Sequence, residues 1–163
     1  MINYFAYASN MDKEYLDMWC KNKGCSMVRF QSISPAKLNG YKLSFNYFSI
    51  SRNGGAANIM ESKKDYVYGL LIEVEESDLQ VFRKKEGYPK YYDEIYVDVE
   101  KFDGTIVKGV KTYKVVKSSE NPNHQPPTKD YLQLIIKNAQ KHNFPSEYIQ
   151  YLEAIKAKEE PLN

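Results

Sequence analysis

The stretch NYFAYASNMDKEYLDMW, residues 3–19, decides how the fold is read. Tyr4, Phe5, Ala6 and Tyr7 make an apolar, aromatic run with strand character over residues 2–7. It stops at Ala8-Ser9-Asn10, three small residues with neither proline nor glycine, and a charged segment follows at once. A helix is predicted from about Met11 to Lys23, with Asn10 placed to cap it, Asp12 and Glu14 in its first turn and Gly24 ending it. Its apolar face is Met11, Leu16, Trp19 and Cys20, at helical spacing. Two readings of the junction stay open on local features. In one, Asn10 is an ordinary cap and Ala8-Ser9 a short loop. In the other, the first N–H groups of the helix, which lack partners within it, hold a carboxylate or phosphate, with Ser9 and Asn10 adding side-chain donors.

Beyond this unit come short strand-like runs, SMVRFQSIS (26–34), KLNGYKLSFNYFSI (37–50) and AANIM (56–60). RNGGAAN (52–58) reads as a turn, because Asn-Gly and Gly-Gly supply positive φ cheaply. DYVYGLLIEV (65–74) is the most apolar run and is expected to be a central strand. A short amphipathic helix from Ser77 to about Lys85 stops at Glu86-Gly87. Residues 91–116 read as a hairpin with Asp103-Gly104 at its turn. KSSENPNHQPP (117–127) is a polar, proline-rich loop. Two helices follow, one capped by Thr128 and one starting near Pro145. Many short strands with helices at the start, middle and end predict an α+β domain, a small curled, barrel-like and mostly antiparallel sheet with flanking helices. The length, 163 residues, predicts one domain over residues 1–163.

Composition narrows the function. Lys and Arg number 23 against 21 Asp and Glu, a net charge of +2 that gives no electrostatic case for nucleic acid or a membrane surface. Fifteen tyrosines suit a β-rich fold, or a cavity with hydroxyl groups in its walls. The N-terminus lacks the pattern of a signal peptide, and no apolar run is long enough to span a bilayer. Cys20 and Cys25 have no His partners at metal-ligand spacing, so no metal is expected and reduced thiols of a cytoplasmic protein are. The oligomeric state is left open, a homodimer included.

Glu86 is the candidate acid/base. A carboxylate near a helix C-terminus and beside Tyr88, Tyr91 and Tyr92 is disfavoured in its charged form, so its pKa is expected to rise, as proton transfer near neutral pH requires. The alternative is a solvated glutamate before a capping glycine. The runs ESKK, EVEE and KAKEE read as solvated faces. His124 and His142 lie in the loop and at a helix end, with no nucleophile arrangement around them. There is no GxSxG, no phosphate-binding glycine loop and no paired metal motif.

Taken together, these elements resemble the γ-glutamylcyclotransferases. That family opens with a strand ending in Tyr-Gly-Ser-Asn, here YFAYASN (4–10). The likeness continues through NGGAANI (53–59), VYGLLIEV (67–74), Glu86-Gly87, and PPTKDYLQLIIKNAQKHNFPSEYIQYLEAI (126–155), and so covers nearly the whole chain in order. The resemblance implies a reaction without cofactor or metal. The α-amine of a small-molecule γ-glutamyl compound attacks its own γ-carbonyl and closes the ring of 5-oxoproline, and the amine or amino acid leaves. It implies Glu86 as the catalytic proton shuttle. Tyr4, Phe5, Ala6, Tyr7, Ala8, Ser9 and Tyr131 would be substrate contacts, with Tyr92 a weaker one. Ala8 departs from the family's glycine: with positive φ it would be strained by about 1–2 kcal/mol, and with negative φ its methyl would only narrow the pocket. The PNHQPP segment is placed to choose among leaving groups. A non-catalytic carboxylate-binding module and a nucleic-acid binder using exposed tyrosines are the alternatives from other classes.

Overall fold

Two strands much longer than the sequence suggests make most of the sheet. β2 (Ser32–Ser49) and β3 (Gly54–Val74) pair antiparallel along one hairpin, from Ser49 opposite Gly54 to Ser32 opposite Glu73. The computed structural model describes residues 1–159. AANIM and DYVYGLLIEV are therefore one strand, joined through the exposed polar residues 61–65, whose charge hides the continuity. Register shifts between Asn39 and Tyr41 and between Ser44 and Tyr47 bend the long ribbon so that it can wrap. The run 26–31 is not strand; it lies along the hairpin, with Gln31 N–H donating to Glu73 O at 2.8 Å.

β1 (Ile2–Ala6), β4 (Tyr92–Lys101) and β5 (Ile106–Val115) complete a closed barrel in the order β1-β3-β2-β4-β5. Every pair is antiparallel except the seam, where Tyr4 of β1 lies opposite Lys111 of β5 in parallel. Side chains reinforce that seam: Thr112 Oγ1 donates to Phe5 O at 2.7 Å and Tyr7 OH to Tyr113 O at 2.6 Å. The flanking helices are α1 (Lys13–Lys23), α2 (Leu79–Glu86), α3 (Lys129–Lys141) and α4 (Ser146–Glu153). The expected α+β, barrel-like fold is what is observed, with the sheet fully closed and mixed at one pair. Phe5, Leu38, Ile59, Leu70, Ile72 and Val110 are fully buried in one apolar cluster with Ile135 and Ala139 of α3. No helix among the described residues is long and apolar enough to cross a membrane.

Two local expectations are corrected. Asn10 does not cap α1, because Ser9–Met11 forms a separate 3-10 turn; the cap is Asp12, which accepts from Tyr15 N–H at 2.9 Å. Asp12 is also tied to α3 by Asn138 Nδ2 at 2.8 Å. In the β2–β3 loop the left-handed residue is Asn53 (φ 54°), while Gly54 and Gly55 already belong to β3. Their bareness serves close approach instead: Gly55 N–H donates to Pro126 O at 2.9 Å, and a Cβ on Gly55 would stand 1.7 Å from Gln125 O. The proline-rich loop thus braces the hairpin.

Candidate active site

A cavity of about 800 Å³ opens where the turn after β1, the end of the β2–β3 hairpin, the end of α2 and the start of α3 meet. Glu86 lines it together with Tyr4, Tyr7, Ala8, Ser9 and Tyr131 of the sequence-named positions. Tyr92 joins them. Phe5 and Ala6 do not line it: Phe5 is turned to the other face of β1, against the bare backbone of Gly69, and Ala6 is enclosed in the core. Strand alternation makes this necessary for Phe5, since Tyr4 faces the cavity. Ala8 has φ −139°, outside the left-handed region, so its methyl does not meet the penalty of positive φ. Pro122, Asn123 and His124 of the PNHQPP segment line a separate groove along β2 with Lys42 and Tyr151, away from Glu86.

Glu86 is the last residue of α2, and Gly87 in the left-handed conformation (φ 70°) turns the chain away directly after it. The bare Gly87 also admits the Tyr91 ring, which a Cβ would meet at 2.7 Å. One turn earlier, Arg83 donates to Glu94 of β4 from Nε to Oε1 at 2.6 Å and from Nη2 to Oε2 at 3.0 Å. Lys111 Nζ and Tyr113 OH also donate to Glu94, at 3.3 and 2.9 Å. The helix carrying Glu86 is thereby fixed to the barrel wall. The Arg83 hydrogen bond foremost, with Tyr113 and Lys111, outweighs burial and holds the Glu94 carboxyl down at about 2. This native value lies below the ordinary 4.5, so the stabilisation is complete above that pH and is lost as pH falls towards 2. In Glu94→Gln, about 2–3 kcal/mol of stability should be missing at neutral pH and the acid-side slope flattened, as denaturant unfolding at stepped pH would measure.

Asn10 gives the site its connection. Its Nδ2 donates to Glu86 Oε1 at 2.7 Å and to Tyr4 OH at 2.8 Å, linking the turn to α2 across 76 residues of sequence. The side chain that looked like a helix cap is buried and orients the carboxylate. Around this pair the tyrosines are anchored by backbone: Tyr131 OH accepts from Ala57 N–H at 3.1 Å, and Tyr92 OH donates to Ala57 O at 2.9 Å. Burial first, and then the Glu86 charge, push the Tyr4, Tyr7 and Tyr92 hydroxyls well above the usual 10.0, so they remain protonated donors. In the turn, Met11 N–H donates to Ala8 O at 3.0 Å and Asp12 N–H to Ser9 O at 3.1 Å. The N–H groups of Ala8, Ser9 and Asn10 meet no acceptor among the described residues.

Arg52 and Lys85 were not visible as site residues. Both donate to Ser9 Oγ, Arg52 Nη2 at 3.1 Å and Lys85 Nζ at 2.9 Å. The Arg52 guanidinium lies over the Tyr131 ring, 4.2 Å from its centroid, and bonds Tyr15 OH at 3.2 Å. Burial strips water from the Lys85 ammonium and, with Arg52 adding like charge against the pull of Glu86, pushes it down to about 8. In sequence Arg52 is a basic residue in a turn and Lys85 one of a pair of lysines, and neither pattern signals a site. Among the described residues no group of His, Cys, Asp and Glu is arranged to hold a metal.

Comparison with known proteins identifies the family. Residues 66–152 match the sequence model of the AIG2-like family. A γ-glutamylcyclotransferase of Bos taurus is 30% identical over 157 residues, which span 93% of this chain and 77% of the bovine one. The Mus musculus γ-glutamylcyclotransferase is 27% identical over 161 residues, 96% of this chain and 79% of the mouse one. A solved structure named γ-glutamyl cyclotransferase superposes with a TM-score of 0.80 at 26% identity, over 99% of this chain and 92% of that one. The chain belongs to the AIG2-like γ-glutamylcyclotransferase family.

Proposed function

We propose that this protein cyclises γ-glutamyl amides, releasing 5-oxoproline and an amine or amino acid. The observation that carries the reading is Glu86, the one carboxylate lining the cavity among the described residues, held by Asn10 within a wall of protonated tyrosines. Glu86 takes a proton from the substrate's α-ammonium. The freed amine attacks the γ-carbonyl carbon and forms the new C–N bond. The N–H groups of Ala8, Ser9 and Asn10 receive the charge that develops on the carbonyl oxygen. Protonated Glu86 then delivers its proton to the leaving nitrogen, the old C–N bond breaks, and Glu86 passes the second proton of the ring nitrogen to the departing amine, which leaves as an ammonium. Attack within one molecule, held in a near-attack geometry, supplies much of the acceleration, so no enzyme nucleophile is required.

Ser9 tests this directly. Arg52 and Lys85 both donate to its Oγ, and in this mechanism that hydroxyl forms no covalent bond to substrate. Ser9→Ala is expected to lose less than about tenfold in kcat, whereas loss of a covalent nucleophile costs on the order of a million-fold. Incubation of the parent protein with a panel of γ-glutamyl amides, with assay of 5-oxoproline, is the primary experiment. Absence of turnover across the panel would overturn the assignment.

A further inference from the structure

The C-terminal end of α1 places the two cysteines of the chain side by side. Gly24 stands in the left-handed conformation (φ 65°), and two backbone bonds close over it. Gly24 N–H donates to Lys21 O at 3.4 Å, and Cys25 N–H donates to Cys20 O at 2.9 Å. This is the paired closure of a left-handed helix end, in which the outermost two side chains meet across the turn. Here those two are Cys20 and Cys25, both free thiols. Standard bond lengths on either side of the 2.9 Å bond hold their α-carbons within about 6.8 Å, inside the span that a disulfide bridges. Cys20 is fully buried in the core cluster, and the half-buried Cys25 packs against that cluster. Burial first, and then the neighbouring Cys25, push the Cys20 thiol up, so Cys20 is slow to ionise. Cys25 is the sulfur that a reagent in solution meets first.

We propose that Cys20 and Cys25 form a thiol–disulfide exchange site, which takes small disulfides from solution and closes into a reversible bridge across the end of α1. The Cys25 thiolate attacks one sulfur of the small disulfide. A mixed disulfide forms on Cys25, and the other sulfur leaves with the electron pair of the broken S–S bond and takes up a proton. The Cys20 thiolate then attacks the Cys25 sulfur, which closes the Cys20–Cys25 bond and releases the second small thiol, again with a proton. Two protein thiols are oxidised and one disulfide is reduced to two thiols, so electrons and protons balance. The bridged segment, Lys21 to Gly24, is already turned back on itself by the two backbone bonds, so closure needs no new path of the main chain. Its position ties it to the cavity. Trp19, which precedes Cys20, and Lys23, inside the bridged segment, both line the wall opposite Glu86.

The test incubates the reduced full chain with hydroxyethyl disulfide and follows its mass, together with the emission of Trp19, the one tryptophan of the chain. The expected product is a monomer that has lost two hydrogens, carries no adduct and offers no thiol to a maleimide after denaturation. Trp19 emission should fall as the bridge closes beside it and recover on addition of dithiothreitol. Cys20→Ser should halt at a mixed disulfide on Cys25, because no second thiol is present to displace it. Cys25→Ser should react at least about tenfold more slowly than the parent, since the remaining sulfur is buried. Should Cys20→Ser fail to fold, Cys20→Ala, which buries no hydroxyl, takes its place. A parent that stays reduced in excess disulfide overturns the site, as does one that keeps a stable adduct on Cys25 while Cys20 remains a thiol. A dimer linked through Cys25 overturns it too. So does closure no faster than hydrogen exchange of the most protected amides, which would place the reaction in the unfolded chain.

Discussion

Glu86→Gln should lose about a thousand- to ten-thousandfold in kcat, the upper range for removing a general acid/base, while KM changes by less than about threefold. The substitution is nearly isosteric, and the new amide oxygen can still accept from Asn10 Nδ2, so the cavity keeps its shape. What disappears is the capacity to take the ammonium proton and return it to the leaving nitrogen. Glu86→Asp separates position from chemistry. It keeps the carboxylate but withdraws it by one methylene from the end of α2, and a displacement of about 1 Å costs on the order of a hundredfold. Release of 5-oxoproline under saturating substrate, with thermal unfolding as the control for folding, measures both. A Gln variant retaining a tenth of the parent activity would remove Glu86 from the mechanism.

The second large effect is expected on stability. Gly55→Ala would place a Cβ 1.7 Å from Gln125 O and 3.1 Å from Gln125 Cβ, and the nearest obstacle is backbone, which cannot rotate aside. Either β3 or the 125–126 segment must move, breaking the Gly55 N–H to Pro126 O bond and loosening the Gln125 N–H to Phe45 O bond at 2.7 Å. The expected cost is about 3 kcal/mol, the upper end for overpacking. For a chain of this size that is a fall of about 6–12 °C in Tm. Because Ala56 and Ala57 follow directly and Ala57 anchors both Tyr92 and Tyr131, activity should fall with stability. Gly104→Ala is the comparison: its φ, unlike that of Gly55, is left-handed, but nothing lies within 4 Å of its Cβ position, so only the conformational cost of about 1 kcal/mol remains.

Features governed by near neighbours were legible in the sequence. The strand at Tyr4–Tyr7, the stop at Glu86-Gly87, the turn at Asp103-Gly104 and the Thr128 cap each depend on a few adjacent residues, and each stands close to where the pattern puts it. Asn10 was misassigned because Asn and Asp two residues apart both suit a cap. The choice fell to the 3-10 turn, and with it to Glu86, which occupies the Asn10 amide from 76 residues away. Arg52 and Lys85 were hidden for the same reason, since what makes them notable is a shared hydroxyl 43 and 76 residues distant. The merging of AANIM with DYVYGLLIEV was masked by residues that remain strand while facing solvent, a combination that hydropathy reads as a break.

The parallel seam bears on when the protein can begin to work. Tyr7 meets Tyr113 across 106 residues, so the first strand made waits for the last described strand before its second edge is covered. Contacts of such sequence separation form late and slowly. Asn10 of the turn after β1 and Tyr113 of β5 line one cavity, so the wall of the site is complete only where the seam is closed. A ligand that binds there draws on the stability of the whole barrel instead of one loop.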